Sequence, residues 1–245
     1  MDRFLYLAMT GAKQALQAQH HNNHNLANAN TTGFRADLDA LLSAPVYGPG
    51  HPSRVYSQET GVGADFAQGT LISTGRDLDV AIEGDGWIAV QAPDGAEAYT
   101  RRGDLRVNNA GLLETATGLL VMGNAGPVAI PPAQKLQIGV DGTVSIVPLG
   151  QDANAMAVMD RIKLVKPAHE QMHKGPDGLF RTAAGFEPAD GQVRLASGML
   201  ESSNVNTVDA LVKMIDNSRQ FETYVKLMST AKENDESSSR LLRQS

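Results

Sequence analysis

Three histidines come closest to a metal-binding pattern. His20 and His24 lie one helical turn apart, with His21 beside them, so two imidazoles could face a single ion. Two ligands leave such a site incomplete. The chain has no cysteine, and no acidic residue lies within a turn of the histidines, so a polar helix face is expected and no metal. Glu83 and Asp85 are the carboxylate pair that general acid and base chemistry on a sugar polymer would need. They sit, however, in Glu83-Gly84-Asp85-Gly86, where Asp before Gly is accounted for by turn formation. Gly61-Val62-Gly63 lacks the strand and helix context of a nucleotide site and reads as loop. There is no G-x-S-x-G elbow, no H-E-x-x-H and no phosphate loop. The expectation is a chain that is not an enzyme, with no catalytic residue and no cofactor.

Composition narrows the classes further. The 245 residues are 42% hydrophobic but only 5% aromatic, and Trp87 stands alone, so the core should be built of Val, Leu, Ile and Ala. A net charge of −6 without a Lys/Arg cluster argues against nucleic acid. Without cysteine neither a disulfide framework nor a thiolate site is available. The early charges Asp2 and Arg3, followed by Thr10, Lys13 and Gln14, do not make a cleaved secretory signal, and no apolar run is long enough to insert into a membrane.

The elements that would position any of these residues have three textures. Leu5, Ala8, Ala12 and Ala15, then Leu26, mark one face of an N-terminal helix whose small side chains allow close approach but bury little. Asn28, Asn30, Thr31, Thr32 and Gly33 form its stop signal. A short apolar run from Asp37 to Leu42 gives way to Pro45, Gly48, Pro49, Gly50 and Pro52, so residues 37–68 read as a linker or extended loop. Residues 69–198 carry short β-type runs separated by Asp-Gly pairs at 85, 94, 141, 177 and 190, which predict hairpins, with Trp87 to Val90 as the return strand after Asp85-Gly86. Beyond Leu200, Leu211, Met214, Ser218, Phe221, Val225 and Met228 step by three and four along a second long helix, with Asn204 or Asn206 as its N-cap and Asp209 favourably near its start. The predicted class is α+β: terminal helices (1–36 and 199–245) pairing as a coiled-coil-like hairpin around a central antiparallel all-β domain (69–198). Seams this weak suit helices that pair with each other or with copies from neighbouring subunits.

Three stretches carry a family resemblance: Asn25-Leu26-Ala27-Asn28-Ala29-Asn30-Thr31-Thr32-Gly33-Phe34-Arg35, Gln68 to Val90, and Ser197 to Ala231 with Leu200-Glu201-Ser202-Ser203-Asn204-Val205-Asn206. They resemble the bacterial flagellar rod and hook proteins, over essentially the whole chain, and within that family most resemble the proximal rod subunits, given Phe34-Arg35-Ala36 and the compact link to Gln68. His20-His21-Asn22-Asn23-His24 departs from the family, which more often has small or amide residues there. The resemblance implies a structural subunit that leaves through the flagellar type III export channel without a cleaved signal. It then stacks helically into the periplasmic rod, beside other rod subunits and possible copies of itself, and transmits torque. It makes Asn25, Asn28, Thr32, Gly33 and Phe34 a signature turn, and Leu5, Ala8, Ala12, Ala15, Leu26, Leu211, Met214, Phe221, Val225 and Met228 an assembly seam. The alternatives are a distal rod or hook subunit, and from another class a cell-wall glycan-cleaving enzyme using Glu83 and Asp85.

Overall fold

A computed structural model describes residues 2–45, 55–150 and 156–244, so the Gly48 to Pro52 segment lies outside the described residues. The chain is α+β, with two long helices, α1 (Asp2–Ala27) and α2 (Thr207–Gln244), and a large antiparallel β body between them in sequence. Two compact units result. Residues 1–29, 37–63 and 205–245 form one, and residues 30–36 and 64–204 the other.

In the helical unit α1 and α2 run antiparallel. Asn22 Nδ2 donates to the Ala210 carbonyl at 2.7 Å, and toward the other end a Cβ on Gly11 would overlap the Tyr224 ring. The contact is built from unequal partners: Ala8, Ala12 and Ala15 are buried on α1, opposite the half-buried Met214, Phe221, Tyr224 and Met228 of α2. Small residues on one helix make room for long ones on the other, the interdigitation that close helix packing needs. The same unit holds a two-stranded sheet, Asp37–Pro45 with Val55–Ala64, where a linker was expected. Gly61-Val62-Gly63 therefore lies in a strand. Glycine in a pattern without alternation hides such a strand from sequence reading.

The β unit centres on Trp87–Gln91. Glu97–Thr100 and Leu120–Val121 flank it, Leu164–Val165 also pairs with it, and the eight-stranded sheet continues outward to Met172–Lys174 and Leu105–Val107. Its side chains alternate between two apolar clusters. Ile88 and Val90 join Val80, Leu113 and Ile146 on one side, while Trp87 and Ala89 join Tyr99, Val165 and Phe180 on the other. Trp87 is thus not isolated: its ring is 4.4 Å from Phe180 and 6.1 Å from Phe66.

The Asp-Gly pairs at 94, 141 and 177 do close hairpins between consecutive paired strands. The pair at Asp85-Gly86 does not. Val80–Glu83 turns away to pair with Arg194–Ser197, and Trp87 enters a different sheet. Gly86 makes that change of sheet possible: its φ is +149°, and a Cβ would press on Val193 Cγ1 at 2.6 Å. Asp190-Gly191 likewise leads into Arg194–Ser197 without a hairpin, the Asp190 carboxylate accepting from Gln192 N at 2.7 Å.

The expected boundaries shift in one consistent way. Residues 30–36 and 199–204 belong with the β unit, because Met199–Glu201 pairs with Leu71–Ser73 and the Gly33 amide donates to the Glu201 carbonyl at 2.8 Å.

Candidate assembly interface

Within the helical unit the expected seam residues divide by burial. Ala8, Ala12 and Ala15 are buried, and Leu26, Met214, Phe221 and Met228 are half-buried. Leu5, Leu211 and Val225 are exposed. The reason is a phase error. The more buried positions of α2 include Ala210, Met214, Asn217, Phe221, Tyr224, Met228 and Ala231, a four-three repeat that includes polar Asn217, with the expected Ser218 half-buried beside it. Entering the repeat one residue later at alternate steps, at Leu211, Ser218 and Val225, moves Leu211 and Val225 into the seam.

What remains outside is an apolar stripe. On α2 it runs through Val208 (69% exposed), Leu211 (49%), Val212 and Ile215 (54%), and α1 exposes Leu5, Met9 and Leu16. These spacings describe a second helix face distinct from the inward one. Contiguous exposed apolar residues of this kind mark a surface made to be covered.

The signature turn is split between the two units. On the helical side Asn25 completes a two-way bond with Asp37: its Nδ2 donates to the Asp37 carbonyl at 2.9 Å, and the Asp37 amide donates to its Oδ1 at 2.7 Å. His24 Nδ1 lies 2.5 Å from the Asp37 carboxylate, and Asn28 Nδ2 donates to the His24 carbonyl at 2.9 Å, closing the last turn of α1. His24 is therefore engaged in tying strand Asp37–Pro45 to the helix. Among the described residues no group of three or more His, Asp or Glu is placed to hold a metal ion.

On the β side Gly33 has φ +66°, and a Cβ there would overlap the backbone carbonyl of Arg101. Gly33→Ala should therefore cost at least about 1–2 kcal/mol from the left-handed backbone alone. The overlap adds to this, and it appears as a lowered melting temperature followed through Trp87 fluorescence. Phe34 is buried with Lys174 Nζ 3.9 Å above its ring, and the same ammonium donates to the Arg35 carbonyl at 2.7 Å. Thr32 Oγ1 is buried without a hydrogen-bond partner among the described residues.

Beneath this turn lies a charge cluster that sequence reading missed. Arg35, whose side chain is 0% exposed, places Nη2 2.6 Å from Glu201 Oε1, and Arg101 Nη1 is 3.1 Å from Glu201 Oε2. Glu201 Oε1 also accepts from the Gly69 amide at 2.9 Å, and Arg101 Nη2 donates to the Gly84 carbonyl at 2.8 Å. Burial pushes the Arg101 guanidinium below its ordinary value, and Glu201 pulls it back up. Arg35 meets Glu201 as a charge contact, its three guanidinium nitrogens making no aligned hydrogen bond among the described residues. The available signal was a charged residue in each of two of the resembling stretches, Arg35 and Glu201, but nothing in their spacing places them together.

The carboxylates considered for catalysis do not converge on one cleft. Asp85 pairs with Lys166 at 3.4 Å at the rim of a shallow cleft with Trp87 and His169. Glu83 ends strand Val80–Glu83 on an exposed position and does not line that cleft. No helix among the described residues is long and apolar enough to cross a membrane.

Comparison with known proteins covers both units. A family model described as the flagellar basal body rod FlgEFG protein C-terminal matches residues 196–241, and one described as the flagellar hook protein FlgE/F/G D1 domain matches residues 81–146. The flagellar basal-body rod protein FlgF of Escherichia coli is 42% identical over 99% of this chain and 99% of its own length. FlgF of Caulobacter vibrioides is 32% identical over 95% of each chain, and the rod protein FlgG of Bacillus subtilis is 32% identical over 95% of this chain and 96% of its own. Likeness at this level along the full length of both chains, with the rod and hook models falling on the second helix and on the β body, shows that the chain belongs to the flagellar basal-body rod and hook family.

Proposed function

We propose that this chain is a structural subunit of the flagellar basal-body rod, of the proximal-rod kind, and that it joins its neighbours through the outer apolar face of a coiled-coil-like pair formed by α1 and α2. The exposed patch Val208, Leu211, Val212 and Ile215 at the start of α2, with the separate exposed residues Leu5, Met9 and Leu16 of α1, carries this reading, because it remains exposed after the two helices have packed on each other. A subunit of a non-closing helical assembly needs such a face in addition to its internal seam. The 42% identity to FlgF of Escherichia coli, against 32% to the FlgG relative, favours a proximal over a distal position.

In this reading the subunit passes through the flagellar export apparatus, meets other rod subunits and copies of itself in the periplasm, and transmits torque. No cofactor and no catalytic step are assigned to it; Asp85 is engaged by Lys166, and the glycan-cleaving alternative gains no support. The test is to delete the gene for this chain and restore it. Restored cells swim and carry the protein in purified basal bodies between the inner and distal parts of the rod. Basal bodies that lack it, or swimming that does not depend on it, would sink the proposal.

A further inference from the structure

The chain passes between its two units four times, at 29/30, 36/37, 63/64 and 204/205. On the β side three of these crossings meet at one side chain. Asn204 Oδ1 accepts from the Ala36 amide at 2.8 Å, and its Nδ2 donates to the carbonyls of Asp65 and Ala67, each at 3.0 Å. The neighbouring backbone adds to the knot: the Asp65 amide donates to the Ala36 carbonyl at 2.8 Å, and the Asn204 amide to the Phe34 carbonyl at 3.4 Å. Asn204 was one of two candidate helix caps, but Asn206 does that work, its Oδ1 accepting from the amides of Val208 at 3.0 Å and Asp209 at 3.2 Å. The Asn204 side chain is thereby left to the crossings.

We infer that Asn204 is a positioning residue that staples the crossings at 36/37, 63/64 and 204/205 into a single stem. Force passing along the chain between the units is then shared among them and not taken by one at a time. The chemistry suits an amide. One acceptor and two donors on a planar group meet one amide and two carbonyls, a set that neither a carboxylate nor a hydroxyl can satisfy. The load-sharing half of this inference rests on the rod reading; the staple itself does not.

The experiment uses the full-length protein with Asn204→Ala and Asn204→Asp. Asn204→Ala removes all three bonds, and amide hydrogen exchange at Ala36 and Asp65 should quicken roughly five- to tenfold. Asn204→Asp keeps the acceptor for Ala36 and sets a carboxylate against the carbonyls of Asp65 and Ala67, so Ala36 should stay protected while residues 65–67 are pushed away and the Asp65 amide, bonded to the Ala36 carbonyl, quickens. Exchange in Trp87–Gln91 should be unchanged in both. Equal exchange in all three proteins overturns the staple, and so does a rise spread across the central strand. In cells carrying either variant as the sole copy, swimming should be normal in dilute medium and fail as viscosity rises. Variants that open at Asp65 yet swim like wild type at every viscosity overturn the sharing of load. If the wild-type gene itself does not restore swimming, the rod reading falls and the exchange result still decides the staple.

Discussion

Leu211→Asp is expected to leave α1 and α2 paired and to abolish incorporation into the rod, giving cells that build no filament and do not swim. Leu211 is half exposed, beside Ala210 which is buried, so its loss should cost the hairpin little. It also lies near the start of α2, where a negative charge is favourable to the helix. The cost falls on assembly. Burying a leucine is worth about 1.5–3 kcal/mol, and a carboxylate trapped in its place costs more. Binding of each subunit should weaken by a factor on the order of a hundred or more. Phe221→Asp separates the two surfaces. Phe221 lies on the inward face, so that change should reduce helix content in circular dichroism, whereas Leu211→Asp should not. Normal basal bodies from Leu211→Asp would remove the outer face from the assembly interface.

Glu201→Leu should be the most damaging single change in the β unit, at about 3–5 kcal/mol, the range seen when one partner of a buried ion pair is removed. Two guanidinium groups, Arg35 and Arg101, share this carboxylate away from solvent, and without it both are left uncompensated. The Gly69 amide loses its acceptor in the same step. Replacing all three charges together (Arg35→Met, Arg101→Met and Glu201→Leu) should recover most of the loss, because the desolvation of unpaired charge then disappears along with the attraction. Urea unfolding followed by Trp87 fluorescence measures both proteins. A triple variant no more stable than Glu201→Leu would mean that the hydrogen bonds to Gly69 and Gly84, and not the charges, hold this region.

The staple at Asn204 and the cluster around Glu201 occupy the same short segment, Met199–Glu201 and the residues just after it, where the chain leaves the β unit for α2. They divide the work differently. Glu201 neutralises buried charge under the signature turn, while Asn204 pairs backbone groups at the points of crossing. The first should govern the stability of the β unit and the second its response to force.

Much of this architecture is written in the sequence alone. The two terminal helices follow from apolar spacing of three and four, and the antiparallel middle from short β-branched runs between Asp-Gly pairs, because both patterns are local and repeat. The hairpins at Asp94, Asp141 and Asp177 were readable for the same reason, and the family resemblance rested on contiguous stretches. The tertiary structure decided everything that depends on residues far apart in sequence. It set the phase of α2, since Ala210 and Tyr224 are more buried than Leu211 and Val225. It sent Val80–Glu83 to Arg194–Ser197 and not to Trp87–Gln91. It gathered Phe66, Trp87 and Phe180 into one aromatic cluster, and Arg35, Arg101 and Glu201 into one charged one. A sequence pattern records the period of an element but not its partner, and partners are chosen by burial and charge compensation summed over the whole chain.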